Sequence, residues 1–115
     1  MQTLFRRIFD LKADKNGTIK ILDANTFKDA ISNQKVQLID VRSPSEFKSG
    51  AIEDAKNMDF YSGRSTSEFN KLDKQKPVYI YCQSGNRRRQ TSKKLSAMGF
   101  KEINDLKVGI LNYNQ

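Results

Sequence analysis

Pro77-Val78-Tyr79-Ile80-Tyr81-Cys82-Gln83-Ser84-Gly85-Asn86-Arg87-Arg88-Arg89 decides how this chain is read. A β-branched and aromatic run opens after a proline and ends at a cysteine. A short polar stretch with one glycine follows, and then three arginines in a row. The pattern predicts a strand over residues 77–81, a tight loop, and a helix from Arg88 to Met98 stopped by Gly99. The run is apolar at nearly every position, which suits a strand covered on both faces in a parallel sheet.

The same signature recurs upstream. Val36-Gln37-Leu38-Ile39-Asp40-Val41 predicts a second strand of the same kind. Behind it, Ser43 at the N-cap, Pro44 at the first helical position and Glu46 at the third open a short helix that Gly50 closes. Thr18-Ile19-Lys20-Ile21 alternates as a short strand, and Asp23 caps a helix with Phe27, Ala30 and Ile31 on its apolar stripe. Ala55-Lys56-Asn57-Met58 reads as a short edge strand, residues 67–72 as a helix, Glu102-Ile103-Asn104-Asp105-Leu106 as a last strand, and residues 108–113 as a terminal helical turn. Strands that alternate with helices imply an α/β fold with a mainly parallel sheet. At the amino end, Leu4, Phe5, Ile8 and Phe9 have helical spacing, so residues 1–14 are expected to be an extension carrying a short amphipathic helix. Lys15-Asn16-Gly17 reads as a turn.

Bulk properties narrow the function. A chain of 115 residues holds one domain, here expected to span residues 1–115. No apolar stretch is long enough to cross a membrane, and no apolar core follows the basic N-terminal residues, so a cytoplasmic location is expected. One cysteine makes no internal disulfide. The absence of histidine removes Ser-His and Cys-His nucleophile pairs and, with a single cysteine, the usual zinc sites. Neither a metal nor a cofactor is expected. A net charge of +8 favours anionic ligands. In the absence of a nucleic-acid motif it reads as a solvated basic surface, with no nucleic-acid partner expected. Oligomeric state is left open.

In open α/β sheets ligands bind beyond the carboxyl ends of the strands. Two of the strands end in polar residues, at Asp40-Val41-Arg42 and at Cys82, which places Cys82 at the rim of the sheet rather than in its core. Gly85 allows successive backbone N–H groups to turn inward, and the small polar Gln83, Ser84 and Asn86 leave that ring open to an anion. Arg87, Arg88 and Arg89 on a first helical turn oppose the macrodipole, an arrangement that an anionic ligand would offset. Helix N-termini and cations also favour the thiolate, the nucleophilic form of cysteine. A lone cysteine after an apolar run is often just a small buried hydrophobe. The full combination of strand, cysteine, glycine-bearing loop and arginine-headed helix favours a catalytic thiol.

Cys82-Gln83-Ser84-Gly85-Asn86-Arg87 resembles the active-site loop of rhodanese-like sulfurtransferase domains. The segment from Leu38 through Asp40, Arg42, Ser43 and Glu46 to Gly50 and Ile52 resembles the family's second hallmark, and residues 95–100 and 106–109 its closing segment. The likeness extends from about Thr18 to Tyr113. It implies a five-stranded, mainly parallel sheet flanked by helices on both faces. It also implies that Cys82 takes a sulfane sulfur from a small anionic donor such as thiosulfate, and passes it from a persulfide to a thiophilic acceptor. Gln83, Ser84, Gly85, Asn86, Arg87 and Arg88 would bind the substrate, with Asp40 and Arg42 in support. Because no second thiol exists to resolve the persulfide, the acceptor must be an external thiol or a sulfur-acceptor protein. The chain departs from the family at Ala51, where histidine is usual, at Glu53-Asp54, where Pro-Gly is usual, and at Arg88, where a small hydroxyl residue is usual. Cys82 and Arg88 also satisfy the Cys-x5-Arg spacing of cysteine phosphatases and arsenate-reducing enzymes, though Tyr81 stands where those loops carry histidine and no general-acid aspartate is placed. A non-catalytic rhodanese-like binding module is the third alternative.

Overall fold

The computed structural model describes residues 18–83, 86–107, 109, 110 and 113, and for 86–88 the backbone alone. The expected N-terminal extension and its helix, the turn at residues 15–17, Ser84, Gly85 and part of the terminal turn lie outside the described residues. The strands are β1 (Ile19–Leu22), β2 (Gln37–Asp40), β3 (Lys56–Asn57), β4 (Val78–Tyr81) and β5 (Ile103–Leu106). The helices are α1 (Ala24–Ser32), α2 (Pro44–Lys48), α3 (Ser65–Phe69) and α4 (Asn86–Ala97). The five strands lie in the order β1-β5-β4-β2-β3, and every pairing is parallel.

Each residue of β4 is buried because both faces of the sheet are covered. Side chains alternate along the strand. Val78 and Ile80 join Ile39, Val41 and Ile103 on one face, where Phe69 of α3 and Leu95 of α4 pack. Tyr79 and Tyr81 join Leu38 and Leu106 on the other, under Phe27 of α1. Phe27 meets Tyr79 edge-to-face, with ring centroids 5.6 Å apart.

Local signals shape the helix ends as the sequence predicts. Asp23 Oδ1 accepts from the Thr26 amide at 2.8 Å. Ser43 and Glu46 form a reciprocal capping box with Pro44 inside it. Gly99 leaves α4 at a φ of +98°, in the region where glycine is at ease, and the chain then turns Phe100 into the core. Two helices differ most from expectation. The third helix starts earlier, at Ser65, and ends at Phe69, because the amides of Lys71 and Leu72 bond three residues back, to Glu68 and Phe69, in tighter turns. The fourth begins at Asn86, two residues before the arginine that the pattern favoured.

The chain leaves β2 toward β3 and leaves β4 toward β5, in opposite directions across the sheet. Since β2 and β4 are neighbours, with Asp40 opposite Tyr81, their carboxyl ends form a topological switch point, the place where ligands bind in open α/β sheets.

Candidate active site

Cys82 is the first residue past β4, at that switch point. Its backbone is held on both sides. The Val41 amide donates to the Tyr81 carbonyl at 3.1 Å, and the Ile110 amide donates to the Cys82 carbonyl at 2.9 Å. The placement at the carboxyl ends of the strands agrees with the sequence, but the expected separation from the core does not. Cys82 is 1% exposed and belongs to the apolar cluster of Val41, Ile80 and Leu95. The reason is periodicity: alternation continues one residue beyond the strand, so Cys82 follows Val78 and Ile80 onto the same face.

The opposite face of the same strand ends carries a polar network. Asp40 is 0% and Arg42 3% exposed. Arg42 Nε donates to both Asp40 carboxylate oxygens at 3.0 Å. Its Nη2 donates to Asp40 Oδ2 at 2.7 Å and to the Gly50 carbonyl at 2.6 Å. The Arg42 amide closes the turn on Asp40 Oδ1 at 2.9 Å. Burial works to lower the guanidinium's pKa, but the hydrogen bonds and charge of Asp40 outweigh it and leave Arg42 above its ordinary value. The remaining arm, Nη1, reaches Gln83 Oε1 at 3.2 Å. The residue after the thiol is thereby tied to the end of β2.

Other residues complete this network without having been singled out from the sequence. Asn57 Nδ2 donates to the carbonyls of Asp40 and Arg42 at 3.0 and 2.8 Å, which stitches β3 to the β2 turn. Tyr81 Oη accepts from the Ile52 amide at 3.1 Å, and its ring lies 5.8 Å from the Arg42 guanidinium carbon. Burial, reinforced by the nearby Asp40, pushes the Tyr81 phenol well above the ordinary tyrosine range. On the thiol face, Asp105 is 1% exposed and accepts a short hydrogen bond from Ser92 Oγ of α4. Lys94 Nζ donates to Ser65 Oγ at 2.8 Å and lies 5.7 Å from the centroids of both Phe60 and Phe69. Together these contacts fix α4 against β5 and α3.

The structure therefore brings Cys82, Gln83, Asp40 and Arg42 to the adjoining carboxyl ends of β2 and β4, with the thiol on one face of the sheet and the Asp40–Arg42 pair on the other. Ser84 and Gly85 lie outside the described residues, and Asn86, Arg87 and Arg88 form the first turn of α4, which starts four residues after the thiol. A helix start offers backbone N–H groups without intrahelical partners, a favourable setting for an anion. Among the described residues no three His, Cys, Asp or Glu side chains gather as a metal site, and no helix is long and apolar enough to cross a membrane.

The family model for the rhodanese-like domain matches residues 23–115. The chain belongs to the rhodanese-like domain family. A rhodanese-like domain protein from Staphylococcus aureus superposes with a TM-score of 0.74 at 25% identity, over 84% of this chain and 92% of that one. A putative mitochondrial thiosulfate sulfurtransferase from Schizosaccharomyces pombe is 37% identical over 90 residues, 69% of this chain and 63% of the relative. A tRNA uridine(34) hydroxylase from Pelagibacter ubique is 32% identical over 102 residues, 88% of this chain and 34% of the relative. The chain thus spans about a third of the length of one curated relative and under two thirds of the other.

Proposed function

We propose that this rhodanese-like domain is a sulfurtransferase that carries sulfane sulfur on Cys82. The thiolate attacks the outer sulfur of a small anionic donor such as thiosulfate. A new S–S bond forms at Cys82, the donor's S–S bond breaks, and sulfite leaves with the electron pair. An external thiol or other thiophilic acceptor then attacks the terminal sulfur and regenerates the Cys82 thiolate. The observation that carries this reading is the position of Cys82: it follows β4 directly, beside the carboxyl end of β2, with a helix starting four residues later. The similarity to a putative thiosulfate sulfurtransferase supports the same donor class.

The phosphatase alternative has less support. It needs a carboxylic acid able to protonate a leaving group, whereas the Asp40 carboxylate is taken by Arg42 and that of Asp105 is bonded to Ser92. A second reading draws on the net charge of +8 together with the tRNA uridine(34) hydroxylase relative: the domain works on an RNA-bound substrate. Salt-dependent retention of tRNA on a filter tests it, and no binding at low salt rejects it.

Sulfur carriage is tested by intact mass. Thiosulfate is expected to add one sulfur atom, dithiothreitol to remove it, and cyanide to release it as thiocyanate. No adduct with thiosulfate, polysulfide or an alkyl persulfide rejects the reading.

A further inference from the structure

Arg42 has the charge to attract an anionic donor but not the access, because it is 3% exposed and its Nε and Nη2 are committed to Asp40 and Gly50. What it does reach is Gln83, at 3.2 Å. A guanidinium only donates hydrogen bonds, so the amide atom facing Nη1 must be the oxygen. In most glutamines the two ends of the amide are hard to tell apart; here the chemistry of the partner decides. With Oε1 held by Arg42, the other arm of the amide is Nε2 and its two N–H donors. Arg42 has no acceptor with which to engage them. They belong to the residue directly after Cys82, at the carboxyl ends of β2 and β4.

We infer that Arg42 is a positioning residue that locks the Gln83 amide in one orientation, so that Gln83 Nε2 donates to the oxyanion end of the sulfur donor. Gln83 then favours donors whose leaving group bears sulfonate-type oxygens, such as thiosulfate, over persulfides with no oxygen on sulfur. Asp40 holds Arg42, Arg42 holds Gln83, and the selectivity belongs to the amide. The inference rests on the sulfur-transfer reading and adds to it a donor class and a residue that selects it.

The test is single-turnover loading of the protein, followed by intact mass, with thiosulfate and with an alkyl persulfide as the two donors. Gln83→Leu removes both arms of the amide. Gln83→Glu keeps an acceptor for Arg42, removes the donors and adds a negative charge, so its effect on thiosulfate is expected to be at least as large as that of Gln83→Leu. In both variants the half-saturating thiosulfate concentration is expected to rise, and thiosulfate loading to fall about tenfold further than persulfide loading, the scale of one lost hydrogen bond to a charged group. Arg42→Lys is expected to shift selectivity the same way, and the double variant Arg42→Lys/Gln83→Leu no further than Gln83→Leu alone, since Arg42 acts through the amide. Equal falls with both donors, no change with either, additive effects in the double variant, or a wild-type chain that loads from persulfide but not from thiosulfate would each overturn the inference. A wild-type chain that loads from neither donor overturns the sulfur-transfer reading itself.

Discussion

The two faces of β4 end in opposite ways. On one, Val78, Ile80 and Cys82 form a dry column under Phe69 and Leu95. On the other, Tyr81 stands beside the buried Asp40–Arg42 pair, whose last free arm reaches Gln83. One residue of alternation separates the Cys82 thiol from the network that ties Gln83 to the end of β2. Apolar packing fixes the thiol in place, and charged hydrogen bonds fix the direction in which the chain leaves it. Chemistry and loop geometry can therefore be perturbed separately, one from each face.

The largest expected effect comes from the thiol face. Cys82→Ser should abolish the sulfur adduct and thiocyanate formation while leaving the fold intact. An adduct that persists in that variant would place the carried sulfur elsewhere and break the comparison.

Next comes the network face. Asp40→Ala strands a buried guanidinium and should destabilise the fold by about 3–5 kcal/mol in denaturant melts. Leu95→Ala, on the thiol face, should lose about 2–5 kcal/mol through the cavity it leaves. The two faces are distinguished by replacing both partners of the pair: Asp40→Leu with Arg42→Met should recover much of the stability lost in Asp40→Ala. If recovery is absent, the network contributes more than charge balance.

The smallest effect is expected from Tyr81→Phe, about 1 kcal/mol for the hydrogen bond from the Ile52 amide. Its clearer signature is in alkali. Burial raises the phenol pKa of Tyr81, and burial does the same for Tyr79 and Tyr113. The folded chain therefore keeps protons that the unfolded chain gives up near pH ~10. This stabilising contribution is fully present below that range and is lost as pH rises from it toward the folded values. Melting temperature should fall steeply there, and Tyr81→Phe should flatten the fall.

Much of this architecture is legible in the residues. The runs at 36–41 and 77–81 are nearly continuous in apolar character and rich in β-formers, which points to strands covered on both sides, and the Ser43–Glu46 box announces its helix. The burial of Cys82 was also within reach, because its position in phase with Val78 and Ile80 gives its face. Reading the cysteine as the strand's polar end hid that phase. The partners of the network were not legible. Gly50 serves Arg42 through a carbonyl that any residue possesses, and Ile52 meets Tyr81 across 29 residues of chain through an amide. Asn57 bridges 15 residues to the Arg42 carbonyl. Backbone groups leave no mark in composition or periodicity, and only the closed topology brings them together.

That closure has a temporal side. β1 pairs with β5, Ile19 against Ile103, and the carbonyl of Cys82 is gripped by Ile110. The earliest described strand waits for the latest, so the sheet joins ends separated by most of the polypeptide, a slow kind of search. During synthesis, the sulfur atom emerges before the segments that shelter it. A nascent chain thus passes through an interval in which the Cys82 thiol lacks its packing partners Leu95, Phe100 and Ile103, and oxidants encountered then would meet it with less hindrance than in the finished domain.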